Sequence, residues 1–477
     1  MRGCPLEPRR TPSLRLAGLR VEDARGFSSL QGDRSVYLER GQHALARERE
    51  RRRQLGPALL PCTCREALEA HIPPCHRPLV VRGGAVQATR PLRDGHDASD
   101  ALRARIVWQV NEAAQDACFR LASDQTDVKE SKRVLKLGPL DVHAHYLPPE
   151  LLTLCDAGAL GPRVTLENGG RTVNINGYLM PRDQERGSDA SEVRVSDMDK
   201  AGVAVQLLSP NPIFFHYWDE PSRALYVCQT MNDGVARAVA RHPDRFLGLA
   251  IIPLQAPELA LTELRRATND LGLIGVEIGS HINGKDLDDP ALEPFFSEVT
   301  KLGIPVQVHP CPHDIAGRER LDRYHLRNLI GNLVETSIAV ASMIFGGVLA
   351  RHPSLRIGFA HGGGLVPYQI GRWDHGHSVR PEARIHLDNP PTEYFEKCWF
   401  DTILHSDAAL NYLVSGSRSK RILMGTDYPA DMSDPGAVER IRRVVPDPIV
   451  AEAILYRNAY AWLGLDAPLN TSATTGV

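Results

Sequence analysis

The sequence predicts an α/β protein: a (β/α)8 TIM barrel with a small insertion after its first strand and a poorly structured N-terminal extension. Two observations carry this prediction. Short, almost continuously apolar segments alternate with longer segments of helical periodicity, which is typical of parallel βαβ units. Several apolar segments end on histidine or aspartate, and a barrel carries its functional groups at the carboxyl ends of its strands. The predicted strands are 138–143, 203–208, 246–252, 273–278, 304–309, 355–361, 397–402 and 421–427.

The segments between these strands supply the helices of the barrel. A doubly wound sheet is the structural alternative, but no Gly-x-Gly-x-x-Gly sequence opens a helix after the first strand. The glycines at 362–364 lack the Gly-Lys-Ser/Thr that completes a phosphate-binding loop, so they are interpreted as a tight turn. The predicted helices are 223–242, 257–271, 290–302, 334–351, 407–415, 434–445 and 448–465.

The first predicted strand carries a His-x-His pair, His143 and His145. Side chains two residues apart on an extended strand point to the same face, and neutral imidazole is the commonest metal ligand. Three more residues of this kind, His309, His361 and Asp427, end later predicted strands. One such histidine alone is more often a core or surface residue. Five of them at strand ends predict a metal site with an adjacent acid or base.

The chain from residue 139 to 465 resembles the amidohydrolase superfamily, and within it the 2-amino-3-carboxymuconate-6-semialdehyde decarboxylase group. The resemblance rests on motifs that follow one another in the family's order. They are His-Ala-His-Tyr-Leu-Pro at 143–148, Val-His-Pro at 308–310, Ala-His-Gly-Gly-Gly at 360–364, Ile-Gly-Arg-Trp-Asp-His-Gly at 370–376 and Gly-Thr-Asp-Tyr-Pro at 425–429.

This resemblance implies a metal-dependent enzyme. His143, His145, His309 and Asp427 match the ligands of one divalent metal ion, zinc or else manganese. His361 matches the residue that activates the metal-bound water, and Asp427 is also expected to move a proton. The implied reaction is non-oxidative decarboxylation, through a metal-bound hydroxide, of an aminocarboxymuconate-semialdehyde-like or related carboxylated aromatic or unsaturated acid. A metal-dependent hydrolase of an amide, ester or lactone stays open, because the same hydroxide serves both reactions.

Substrate binding is expected to involve arginine, whose forked permanent charge suits carboxylates. By resemblance, Arg372 and Arg380 bind substrate, and Arg372 reaches the site of a neighbouring subunit, which implies a homodimer. Arg171 lies near another substrate arginine of the family but about two positions out of register. Trp218 is a candidate wall residue, with core packing as the alternative. Because Cys311 replaces the family's aromatic residue after His-Pro, we expect an altered pocket.

Residues 1–135 differ in composition from the predicted barrel domain, residues 136–477. They are rich in arginine and proline, and the run 47–53 alternates basic and acidic residues. This composition predicts a partly disordered extension, either an accessory region or an over-long gene model, and no nucleic-acid binding is expected.

The composition of the whole chain is typical of a cytoplasmic enzyme, and the resemblance implies that its partner is a small-molecule carboxylic acid substrate. Its net charge is −2, and its nine cysteines are odd in number, which does not favour a disulfide framework. No apolar run approaches the roughly 20 residues of a membrane span, and no apolar secretory segment is evident near the N-terminus. No membrane association is therefore expected.

Overall fold

The structure, a computed structural model, describes residues 135–181 and 192–466. Residues 1–134, which make up nearly all of the predicted N-terminal extension, lie outside the described residues. The predicted disorder of that extension and the domain boundary at 135/136 therefore stay predictions.

Eight parallel strands form one sheet that closes into a barrel, which confirms the predicted fold class. Each strand pairs with the next along the chain, and the last returns to the first. The backbone N–H of Val142 donates to the oxygen of Met424 (2.9 Å), and that of Asp427 donates to the oxygen of His143 (2.8 Å). The strands are β1 (Leu140–Tyr146), β2 (Val205–Pro210), β3 (Phe246–Ala250), β4 (Gly275–Gly279), β5 (Pro305–His309), β6 (Arg356–Phe359), β7 (Trp399–Asp401) and β8 (Ile422–Leu423).

The barrel strands are apolar because both of their faces are covered. Every residue of β1 is buried, as is every residue of β5. Strand alternation turns Val142 and Val308 outward, towards the helices, and turns Asp141, His143 and His309 into the barrel. The same alternation places polar groups inside the barrel and carries them to its carboxyl end.

Helices surround the barrel largely where the sequence predicts them. The predicted helix 334–351 is two helices, because Gly347 adopts a φ of 73° that ends the first helical path. Four helices, Pro149–Asp156, Glu192–Lys200, Val366–Val379 and Pro391–Phe395, were not predicted. The others are Pro221–Arg241, Pro257–Asn269, Glu293–Leu302, Leu333–Phe345, Val348–Arg351, Asp407–Val414, Ala437–Val444, Pro448–Glu452 and Asn458–Leu463.

The predicted insertion after β1 is a small antiparallel sheet of three strands, Val164–Glu167, Thr172–Ile175 and Tyr178–Pro181. The second turn of this sheet uses Asn176 and Gly177 in the left-handed region, with φ of 50° and 84°. The last strand brings residues 178–180 to a wall of the cavity above the barrel. The insertion therefore shapes the site.

Among the described residues, one helical stretch, Arg327–Phe345, is long and apolar enough by composition to cross a membrane. A row of its side chains is buried, as expected for a helix that packs on a barrel: Thr336, Ala339, Val340, Met343 and Ile344. The cytoplasmic location expected from the sequence stays a prediction.

Candidate metal centre and active site

The residues predicted at strand ends converge at the carboxyl end of the barrel. The Nε2 atoms of His143 and His145 lie 3.2 Å apart. Asp427, just beyond β8, places Oδ1 2.9 Å from Nε2 of His145 and 3.5 Å from Nε2 of His143. The imidazole rings of His309 and His361 lie with centroids 5.0 Å apart. Residues separated by almost 300 positions thus form one buried cluster.

Three of the histidines have the arrangement of metal ligands. The ligand atoms of His143, His145 and His309 lie within 4.8 Å of one another, the one such group found among the described residues. Nδ1 of His309 donates to the backbone oxygen of Pro310 (2.7 Å), so its buried, unpartnered Nε2 carries a free lone pair. Burial lowers the pKa of His309 well below the usual value, which keeps this imidazole neutral. Three ring nitrogens at this spacing, each with a lone pair when its imidazole is neutral, fit a divalent cation between them.

Asp401, at the end of β7, orients this cluster and was not predicted from the sequence. Its Oδ2 accepts hydrogen bonds from Nδ1 of His143 (2.7 Å) and from the backbone N–H of His361 (2.9 Å). Its Oδ1 accepts from the N–H groups of Gly362 (2.8 Å) and Ile403 (3.1 Å). Burial opposes charge on His143, but Asp401 and Asp427 outweigh it and raise the pKa of His143 to about 9 in the metal-free protein. A carboxylate behind a ligating histidine fixes its tautomer and orientation.

His361 lies beside the metal-type cluster rather than within it. Its ring centroid is 5.5 Å from that of His143, and its buried Nδ1 has no hydrogen-bond partner. Its backbone adopts a φ of 55°, in the left-handed region that side chains rarely occupy. Burial, with the positive charge of His143, lowers the pKa of His361 to about 4. At neutral pH this imidazole is therefore an uncharged proton acceptor.

Glu277 is a second residue that the sequence pattern did not single out. It lies on β4 in register with Gln307, two positions before His309 on β5. The side chain is fully buried, and neither carboxylate oxygen has a hydrogen-bond partner. Burial raises its pKa to about 8, while the charges of His143 and Asp427 act on it in opposite directions. Glu277 thus lies close enough to the metal-type cluster to interact electrostatically with His143 and Asp427. A lone glutamate in an apolar strand gave no sequence signal for this position.

A cavity of about 990 Å³ opens above the cluster, and His145, His309, His361 and Asp427 lie on its wall. None of the four predicted substrate-binding residues, all of which the structure describes, lies on that wall. Three of them are exposed: Arg171 donates to the backbone oxygen of Asn168 (3.3 Å), and Arg372 and Arg380 lie on or next to the helix Val366–Val379. Trp218 packs edge-on against His313, with ring centroids 4.3 Å apart. Their substrate roles stay predictions.

The sequence is similar to those of known proteins. Residues 140–465 match the family model described as amidohydrolase. The 2-amino-3-carboxymuconate-6-semialdehyde decarboxylase of Dictyostelium discoideum is 39% identical over 335 residues, which cover 69% of this chain and 92% of that protein. The gamma-resorcylate decarboxylase of Rhizobium radiobacter is 30% identical over 271 residues, or 53% of this chain and 80% of that protein.

Solved structures share the fold. The 5-carboxyvanillate decarboxylase of Novosphingobium aromaticivorans, complexed with manganese and 4-hydroxy-3-methoxy-5-nitrobenzoic acid, matches with a TM-score of 0.59 at 22% identity. The match covers 71% of this chain and 98% of that one, and at this identity it supports the fold alone. The match to the family model and the 39% identity to the relative from Dictyostelium show the family: the chain belongs to the amidohydrolase family.

Proposed function

We propose that the protein is a metal-dependent, non-oxidative decarboxylase of a carboxylated aromatic or unsaturated acid. The observation that carries the proposal is the neutral imidazole of His361, whose buried Nδ1 has no hydrogen-bond partner, beside a buried group of metal-type side chains on the wall of one cavity. The curated relatives named above are decarboxylases, which supports this reaction rather than hydrolysis.

The metal would be held by His143, His145, His309 and Asp427. Zinc suits three imidazoles and a carboxylate with one open position, and manganese is the alternative, supported by its presence in the structural neighbour. When bound, a divalent ion supplies Lewis acidity and lowers the pKa of nearby water.

The protein groups supply orientation and proton transfer. In the overall reaction the bond to the carboxylate carbon breaks, its electron pair stays on the remaining carbon, and a proton takes the place of carbon dioxide. His361, uncharged at neutral pH, would accept a proton from water and pass it to the carbon that loses the carboxylate. The hydroxide left from that water takes a proton from solvent, so each turnover consumes one proton and releases one carbon dioxide. Asp427, whose pKa the neighbouring histidines hold well below its usual range against the effect of burial, would stay ionised and receive protons only transiently.

A homodimer would complete the site. Arg372 and Arg380 are exposed, and neither side chain lines the cavity of its own chain. Three large apolar side chains close to them along the chain are exposed: Tyr368 is 77% exposed, Val379 55% and Ile385 70%. Exposed apolar patches of this kind mark interaction sites, so we place the dimer contact here, with Arg372 near the neighbouring site.

The decisive experiment measures carbon dioxide release by metal-loaded protein from carboxymuconate semialdehyde and from hydroxybenzoic acids. His361→Asn should lower turnover by about 10²- to 10⁴-fold and keep about one metal ion per chain, whereas His143→Ala should lose both. His405→Asn is the matched control, since His405 is also left-handed (φ 53°), is exposed, and lies off the cavity wall. Hydrolysis of amides, esters or lactones without carbon dioxide release would favour the hydrolase. Full activity of His361→Asn would refute the assigned mechanism.

A further inference from the structure

Part of the cavity wall carries polar side chains from one stretch of the chain. His325, in a turn with a φ of 58°, and Asn328 and Asn332, in the helical segment that follows it, all line the cavity. Residues Arg327–Asn332 of that segment form a π-helix, a conformation that occurs mostly in single turns and frequently at functional sites. Leu329, on the other face, is 45% exposed to solvent. The segment therefore turns its polar side chains inward and leaves apolar ones outside.

Asn332 is the deepest residue of this wall. It is 5% exposed, and its Oδ1 is buried without a hydrogen-bond partner. The backbone oxygen of the next residue, Leu333, lies where a side chain on Gly364 would stand, so Asn332 lies beside the turn that carries His361. A buried polar atom without a partner is unfavourable, and a hydrogen-bond donor on a ligand in the cavity can supply the missing partner.

The charges on the cavity wall select the kind of ligand group. Lys200 is the one lysine or arginine on the described wall; it is 73% exposed and bonded to Asp197 (3.1 Å). Asp431 adds a negative charge to the same wall. Within one chain, most charged groups on this wall are therefore carboxylates, namely Asp197, Asp427 and Asp431. A neutral hydrogen-bond donor would satisfy Asn332.

We infer that Asn332, assisted by Asn328, forms a specificity-determining subsite that binds a neutral hydroxyl or amino substituent of the acid substrate. The inference rests on the proposed function, because it takes the substrate to be an acid whose carboxylate faces the metal-type cluster.

Ligand binding tests the subsite without turnover. The probes are 2-nitroresorcinol and 2-nitrophenol, in which a nitro group stands for the carboxylate and which differ by one hydroxyl group. Calorimetric titration of metal-loaded protein, at mildly acidic pH where both phenols are uncharged, gives the ratio of their dissociation constants. Wild-type protein should bind 2-nitroresorcinol about tenfold more tightly, as one buried hydrogen bond predicts, and Asn332→Leu should reduce this ratio to about one or two.

Two further variants separate the subsite from general damage. Leu329→Ala alters the outward face of the same segment and should keep the wild-type ratio. Asn328→Ala, at a half-buried position, should reduce the ratio about threefold, and it replaces Asn332→Leu as the test if that protein does not fold. A wild-type ratio near one, or an unchanged ratio in a folded, metal-loaded Asn332→Leu protein, overturns the inference. Absence of carbon dioxide release would refute the proposed function and leave this binding result standing.

Discussion

Asp401 is the residue whose replacement should affect the site most selectively. Its carboxylate is 1% exposed and accepts four hydrogen bonds, two on each oxygen. In Asp401→Asn one oxygen becomes an NH₂ group, which cannot accept. If the amide replaces Oδ2, the N–H of His361 loses its acceptor and His143 must change tautomer. If the amide replaces Oδ1, two backbone N–H groups lose theirs.

The size of the effect follows from this count. Each buried donor without a partner costs about 1–3 kcal/mol, so the free energy of unfolding should fall by about 2–4 kcal/mol. The orientation with the amide at Oδ2 leaves fewer backbone donors without an acceptor, and in it neutral His143 carries its proton on Nε2, the atom that faces His145 and Asp427. Loss of the partner behind a ligating histidine typically weakens metal binding by about 10- to 100-fold, and we expect that loss here.

Two assays separate these effects. Urea denaturation of the metal-free protein measures the free energy of unfolding, and calorimetric metal titration of folded protein measures affinity. Asp374→Asn is the matched control, because Asp374 accepts from the N–H (2.9 Å) and the hydroxyl (2.5 Å) of Thr392, away from the cluster. The Asp374→Asn protein should have a lower free energy of unfolding than the wild type and an unchanged affinity for the metal. An Asp401→Asn protein with wild-type metal affinity would refute the role of Asp401 in orienting His143.

Two other predictions concern Glu277 and the dimer. Burial raises the pKa of Glu277 from 4.5 to about 8 in the folded protein, so this carboxyl group ionises at lower pH in the unfolded chain. The free energy of unfolding therefore falls as the pH rises from about 4.5 to about 8. We therefore expect metal-free Glu277→Gln to have a higher free energy of unfolding than the wild type. Urea denaturation should show that this gain is several kcal/mol larger at pH 8 than at pH 5. An equal gain at both pH values would contradict the prediction. If Arg372 serves the neighbouring site, mixing inactive Arg372→Ala and His361→Asn proteins should restore activity in mixed dimers, whereas a mixture as inactive as its parents would argue against a shared site.

The sequence was sufficient for the fold and for the residues that end its strands. Continuous apolar segments that alternate with helical ones require parallel strands buried on both faces, and such strands bring their carboxyl ends to one edge. His143, His145, His309, His361 and Asp427 were therefore predictable as one cluster. The chemistry of their side chains made a metal site the natural interpretation.

The sequence did not predict the groups that support this cluster. Asp401 and Glu277 are single carboxylates in apolar strands, without a motif around them, and both act on His143, which lies more than 100 positions away from either. Likewise, the helix Val366–Val379 carries histidines, glycines and a proline that weaken the periodic signal, and only its first two residues, Val366 and Pro367, are buried.

What the sequence by itself determined is the barrel, the order of its strands and the identity of the converging side chains, because periodicity and strand-end position are local properties. Only the tertiary structure decided which atoms lack partners, which charges are buried and which side chains reach the cavity. Those properties depend on distances between remote segments. They place Asn332 on the cavity wall and leave Arg171, Trp218, Arg372 and Arg380 off the wall of their own chain.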